Sequence, residues 1–452
     1  MNIRIRFYLS YSVWLMLLLL FSACKKEGEE PDYPAGSNQY INDWLLDSMK
    51  VYYYWNHQLP KKSDIGKTPL NFFASLKYSQ DRFSRIYNAS IPESFYPSLV
   101  HHFGFELMLY DPGNGEIKTT VTLVVPQSQA EQNGMQRGQM VNSINGTALN
   151  EKNIDALVRS AVTAGRLTLD VVGLGLVNLT SSFISENSVY GYRVFDQLSK
   201  PTGYLFYNSF DARYFNRLAE AFRIFKQAGV KELIIDLRYN AGGDVGVCAA
   251  MVAMLSDVNE QDHYLEYRGN SLAGIRKETF AKTISKTFSG NPLNFSEIRS
   301  LRLPLERIFI LTGRHTASAA EFLVKSLRPY TEVIQIGEST LGKDMASFSI
   351  RDGNTSKSNA WSLEVMVFKL YNSLGEGDYA KGLVPDIMIH ELSESLYPFG
   401  DAKDPLIHAA LSRISGYSKR SSKTTIGEGM APRVLYDSRD LADRHVNFII
   451  RP

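Results

Sequence analysis

Between residues 176 and 415, short β-branched and aromatic runs alternate with stretches of helical length, and this alternation leaves few folds open. GYLFYNSF (203–210), ELIIDL (232–237), RIFILTG (307–313), EVIQIG (332–337) and WSLEVMVF (361–368) have the length and composition of strands. RLAEAFRIFKQAG, GVCAAMVAML and ASAAEFLVKSL lie among them and read as helices. Every such element has apolar surface to bury. Strands alternating with helices bury theirs by layering, so the expectation is an α/β sandwich around a sheet.

The preceding segments have a different character. In YINDWLLDSMKVYYYW, Ile41, Trp44, Leu45, Met49 and Tyr52 share one helical face. Thr68 before Pro69 opens a second helix in TPLNFFASLKYSQDRFSRI. Two helices make a weak core alone, so this block is expected to dock on its neighbours. From residue 96, HHFGFELMLY and TTVTLVV are strand-like and joined by the turn-rich DPGNG. The helix-like EKNIDALVRSAV and strand-like RLTLDVV follow. The expected division is a leader over 1–23, a tether over 24–37, a helical segment over 38–95, a β-rich domain over 96–175, the α/β core over 176–415 and a tail over 416–452.

Composition narrows the function. A net charge of +2, without a basic stripe interleaved with aromatics, argues against nucleic acid as a partner. The two cysteines, Cys24 and Cys248, cannot form a disulfide framework. Arg4 and Arg6, the apolar run Val13 to Phe21, and Ser22-Ala23-Cys24 have the layout of an export signal with a small-residue cleavage site. This segment resembles a bacterial lipoprotein signal, which implies a lipid on Cys24, a membrane anchor and residence in the cell envelope. Phe21 stands where such signals usually carry Leu. Cys248, in the apolar VCAAMVAML, reads as a buried structural thiol.

Ser318 and Lys343 are the candidate catalytic pair. Ser318 opens a helix directly after an apolar run, and Lys343 follows 25 residues later in IGESTLGKD, after a second run. A hydroxyl needs a base to become a nucleophile, and lysine serves only when neutral. Its pKa must fall from about 10.4 by roughly three units, which takes burial. The first-turn amide of Ala319 and a glycine amide in YNAGG, Gly242 or Gly243, are the candidate oxyanion donors. GxSxG, HExxH and Walker patterns and Cys/His metal spacings do not occur. The chemistry therefore implies neither metal nor organic cofactor.

TASAAE, Gly342-Lys343, DLRYNAGG and GLVPDI, in that relation, resemble the C-terminal processing (tail-specific) serine peptidases. The resemblance covers roughly residues 38–415. It implies an α/β sandwich peptidase core of the ClpP/crotonase-like kind, with Ser318 as nucleophile, Lys343 as general base, Ala319 and Gly242 in the oxyanion-hole region and Glu321 at the motif's acidic position. Residues 96–175 resemble a PDZ domain, whose loop Phe103-Gly104-Phe105 would take the terminal carboxylate of a substrate's tail while the tail adds a strand. Protein or peptide tails are the implied partners. Many members carry Gln four residues after the lysine to orient it. Here that position is Ser347, which leaves open a catalytically weak or inactive protein that binds peptide or lipid on the same fold. His315 reads as local structure, and Asp236 and Arg238 as a buttress of the sheet end.

Overall fold

The structure is a computed structural model. It describes residues 33–416, except 89, 92–93, 95–97, 199, 288–292 and 354–358, together with residues 432–442. Cys24 and the leader lie outside the described residues.

The described residues form a mixed α/β protein with four sheets. The central one has six strands in the spatial order Ile387–Met388, Glu332–Gly337, Arg307–Thr312, Glu232–Asp236, Thr202–Tyr207 and Val189–Phe195. All neighbours run parallel except the last pair. Glu232–Asp236 and Thr202–Tyr207 are buried along their whole length, as continuous apolar runs covered on both faces must be. One face carries the helices Phe215–Gln227, Val245–Leu255 and Ala319–Leu327. Every residue of Val245–Leu255 is buried, which is why the segment is apolar all round rather than striped. The opposite face carries the helix Pro405–Ile414 together with Leu123 and Val125 of the β-rich region.

The alternation predicted one sheet, and there are two in the core. WSLEVMVF does form a strand, but within Trp361–Asn372 of an antiparallel sheet. Its partners are Arg85–Asn88, His263–Arg268 and Met345–Arg351, and Ile275–Thr279 completes the edge. This sheet packs into the same apolar cluster as the buried helices. Residue pattern specifies strand state, whereas sheet membership depends on long-range pairing. The helices Asn38–Tyr52 and Pro69–Leu76 also join that cluster, through Ile41, Leu45, Met49, Phe72 and Phe73.

Three expected boundaries move. The segment 38–95 is not wholly helical, because Arg85–Asn88 is a strand of the core's antiparallel sheet. The β-rich unit passes residue 175, since Gly175–Thr180 pairs with Arg166–Val171 and packs Val177 and Leu179 into that unit's own core. The tail returns to the fold, where Arg433–Asp437 pairs with Phe105–Asp111. Compositional shifts mark none of these: the partners of Arg85–Asn88 and Arg433–Asp437 lie far away in the chain, and Gly175–Thr180 continues a local hairpin across the expected boundary.

The Phe103-Gly104-Phe105 turn also differs from expectation. Leu99–Phe103 is a short helix and Gly104 is its left-handed cap, at φ 80°. The Gly104 N–H already donates to the Leu99 and Val100 carbonyls. A Cβ there would lie 2.3 Å from Ser128 Cβ, so the glycine answers a close approach as well as a turn. With its bonds made to the preceding helix, the Gly104 amide is not open to a carboxylate in this conformation.

Candidate active site

Ser318 occupies the junction between the strand Arg307–Thr312 and the helix Ala319–Leu327. Its backbone lies at φ 61° and ψ −121°. A non-glycine residue there costs on the order of 1–3 kcal/mol, which the surroundings must offset. They do so through a set of bonds to the turn. Gly313 N–H donates to Thr316 Oγ1 (2.9 Å), Thr316 Oγ1 to the Leu237 carbonyl (2.7 Å), and Ala317 N–H to the Asn240 carbonyl (3.0 Å). Ser318 N–H donates to Glu321 Oε2 at 2.8 Å. Ser318 is fully buried, yet its Oγ has no hydrogen-bond partner among the described residues. A strained strand-to-helix turn of this kind holds a nucleophile clear of its own backbone. Ala319 N–H heads the helix and likewise donates to no described group.

The glycine turn lies against this serine. A Cβ on Gly242 would meet Ser318 Cβ at 2.6 Å and the Ala319 nitrogen at 2.9 Å, and its φ is 103°. The two candidate donors separate here. Gly242 N–H is held by Asn240 Oδ1 at 2.8 Å, whereas Gly243 N–H, beside it, donates to no described group. Gly242 thus gives close approach, and Gly243 with Ala319 gives the open amides. Asn240 had no assigned role in the sequence reading, although it stands inside YNAGG. It also donates through Nδ2 to the Tyr207 carbonyl, so it ties the turn to the neighbouring strand. Gly242→Ala is expected to cost at least about 2–3 kcal/mol through clash and strain together. Thermal melting checks it against Gly115→Ala, which has a similar φ of 80° but open space around it and isolates the strain alone.

Lys343 is fully buried, and burial brings its pKa down from 10.5 to about 7. Glu364, Glu321 and Asp81 oppose that shift, and Arg85 assists it. The Phe83 ring lies 5.5 Å from Nζ, and Arg82 donates to the Leu341 and Ala380 carbonyls. The segment DRFS therefore walls the lysine turn, which explains why a helical N-terminal block accompanies this core. No local signal pointed to Phe83; the contact spans most of the chain. Ser347 is buried on Met345–Arg351, at a bulge in that strand's pairing, and bulges commonly re-aim a side chain.

Glu321 joins the two halves. Its Oε2 accepts from Ser318 N–H and from Lys343 N–H, each at 2.8 Å. Its Oε1 accepts from Gly342 N–H at 2.7 Å and from the Thr340 hydroxyl. One buried carboxylate so fixes the serine turn and the lysine turn at once. Burial raises its pKa to about 7 against those four donors. Leu341 N–H donates to the Thr316 carbonyl and adds a second tie.

The neighbouring groups are structural. Cys248 is buried, its thiol donates to the Ala319 carbonyl (3.4 Å), and burial pushes its pKa up to about 12. Asp236 and Arg238 form a buried ion pair extended to Asp404 and Glu391. His315, fully buried, pairs with Asp437 at 2.6 Å; its partner comes from the tail rather than from the turn.

These features define an α/β protein whose strained serine turn, flanked by open amides, shares one anchoring carboxylate with the turn of a buried lysine. The chain belongs to peptidase family S41. The profile of that family matches residues 201–389 and the S41 N-terminal domain matches residues 40–85, together just over half of the chain. The carboxy-terminal processing protease CtpA of Bacillus subtilis (strain 168) is 24% identical over 296 residues, covering 64% of this chain and 56% of that protein. The carboxyl-terminal-processing protease of Synechocystis is 22% identical over 301 residues, covering 64% and 63%. The chain thus spans between half and two-thirds of the length of these relatives. A Bacteroides fragilis protein assigned to the S41 proteases has a solved structure that superimposes with a TM-score of 0.67 at 26% identity, over 86% of this chain and 99% of that one.

Proposed function

We propose that the chain is a serine endopeptidase with Ser318 as nucleophile and Lys343 as general base, acting on extended polypeptide. The observation that carries this reading is the serine itself, a buried hydroxyl without a partner in a left-handed backbone conformation. Ser318 and Glu321 hold the positions of a capping box, but an ordinary N-cap serine adopts an extended backbone, which Ser318 does not. Ser318 Oγ attacks the scissile carbonyl as neutral Lys343 takes its proton, and the oxyanion is met by the Ala319 and Gly243 amides. The lysine then protonates the leaving amine and later draws a proton from the attacking water, so the proton balance closes between serine, lysine and water. The β-rich unit, read as PDZ-like, presents the polypeptide. A lipid on Cys24 places the enzyme on an envelope membrane. Membership of family S41 supports the reaction class.

The test is turnover of an unfolded, fluorescently labelled reporter across pH 5–9, beside Ser318→Ala. Lysine must be neutral to act, and its pKa is about 7. Below that value kcat/KM is expected to fall about tenfold per pH unit, with a plateau above it. Ser318→Ala is expected to be inactive throughout. A parent protein inert at every pH would instead favour a binding protein on this fold, with Ser347 in the lysine-orienting position as the reason.

A further inference from the structure

The outer edge of the strand Phe105–Asp111 is occupied by the chain itself. Lys118–Val124 pairs with one side of that strand, and Arg433–Asp437 with the other, antiparallel, with Val434 opposite Tyr110 and Asp437 opposite Met108. The segment's side chains fit the site on both faces. Leu435 and Tyr436 pack against the core of the β-rich unit, and Tyr436 lies within electrostatic reach of Asp155 and Arg159 on the helix Ile154–Ala164. Val434 packs with Met108, Tyr110, Leu392 and Leu396. Ser438 Oγ accepts from Leu107 N–H at 3.0 Å and donates to Glu106. A segment that adds a strand to an open edge, with its alternate side chains in pockets, makes the interactions by which sheet edges recognise peptides.

The same segment grips the active-site turns. Asp437 pairs with His315, which stands in the turn leading to Ser318. Arg439 stacks 3.7 Å from the centroid of Tyr239, at the start of the turn leading to Gly242 and Gly243. Arg314 and Asp440 are also paired. Ser318 is fully buried in this conformation, with the segment in place.

We propose that residues 433–438 are a built-in competitor at the outer edge of Phe105–Asp111, where the PDZ-like reading already expects a substrate strand, and that their displacement frees the turns holding Ser318 and Gly243. The chemistry of the occupant defines the partner: an apolar–aromatic pair followed by an acid and a hydroxyl. It is an internal segment rather than a chain terminus. The segment continues into the helix Ser438–Ala442, Gly104 N–H is already used, and the buried Glu106, bonded to the Ser438 hydroxyl, is an acid beside which a terminal carboxylate would be repelled. The competitor's effect on turnover rests on the peptidase reading above; the binding site does not.

The experiment uses the full chain with Tyr110→Cys and Val434→Cys. Directly opposed residues of an antiparallel pair have Cα atoms about 4.5–5.5 Å apart, within disulfide reach. Cys24 is replaced in both redox states (Cys24→Ser), so one preparation, oxidised and then reduced, differs only by that bond, and Cys248 is buried away from it. The probe is a fluorescein-labelled, C-terminally amidated peptide with the sequence of residues 431–442, read by anisotropy. The reduced protein is expected to bind it at least about tenfold more tightly than the oxidised one. A second variant, Val434→Asp with Leu435→Asp, weakens the competitor and is expected to bind more tightly than the parent. Equal affinity in the two redox states, or no binding to any form, overturns the proposal. Reporter turnover is read in parallel. Turnover that rises on reduction supports coupling to the active site, and turnover unaffected by the lock while the probe still discriminates overturns that part. If Ser318 chemistry is absent altogether, every form is inert toward the reporter while the anisotropy result still decides the binding site.

Discussion

Lys343→Met is expected to abolish most turnover and to give a more stable protein. A buried lysine with its pKa near 7 is held there at a cost, because the unfolded chain binds the proton up to about pH 10.5. The sign follows from proton counting. Between pH 7 and 10.5 the unfolded state holds more protons than the folded state, so the parent gains stability as pH rises through that window. At pH 7 the penalty amounts to as much as about 4 kcal/mol, and an apolar side chain of similar length does not incur it. The melting temperature of Lys343→Met should therefore exceed the parent's at pH 7, with the advantage shrinking toward pH 10. On the proposed mechanism, loss of Lys343 should lower kcat/KM by about 10²–10⁴-fold. A variant that melts below the parent at pH 7 would show that Lys343 is held charged by its neighbours and is no base. Stability exchanged for function in this manner is common at active sites.

Glu321 carries the second large effect. Four donors converge on its carboxylate from the serine turn, the lysine turn and Thr340. Removing it in Glu321→Ala leaves those buried donors without an acceptor, each at about 1–3 kcal/mol, so destabilisation on the order of 4–6 kcal/mol is expected after partial relaxation. Urea unfolding of the parent and variant measures it. Glu321→Gln separates positioning from folding. The neutral amide removes a negative charge that raises the Lys343 pKa, so neutral lysine persists to lower pH. The acid limb of the pH profile is expected to move below 7 while kcat falls, because one end of the amide meets donors with a donor. A limb that stays in place would mean the carboxylate acts on the fold alone.

Much of this site was legible in the sequence because its parts are local. Ser318 follows an apolar strand and opens a helix, Lys343 follows a second strand and a glycine, and each motif is a few residues long. Turn chemistry of that range is set by backbone preferences and needs no distant partner. The split between Gly242 and Gly243 was not legible, because it depends on which amide Asn240 takes. The Phe103-Gly104-Phe105 turn shows the same limit. Its pattern suited an anion loop, but the helix before it claimed the glycine amide as a cap.

The sequence by itself determined strand and helix content, the α/β character of the core, and the residue types at the serine, lysine and glycine turns. These rest on periodicity and short-range geometry, which the chain encodes residue by residue. Tertiary structure alone decided the rest. It divided the core strands between two sheets, buried Lys343 against Phe83 from the far end of the chain, joined both active-site turns through Glu321, and laid Arg433–Asp437 along the edge of Phe105–Asp111. Burial and strand pairing are properties of residues brought together across hundreds of positions. A lowered lysine pKa or a filled sheet edge therefore exists only once the chain has folded.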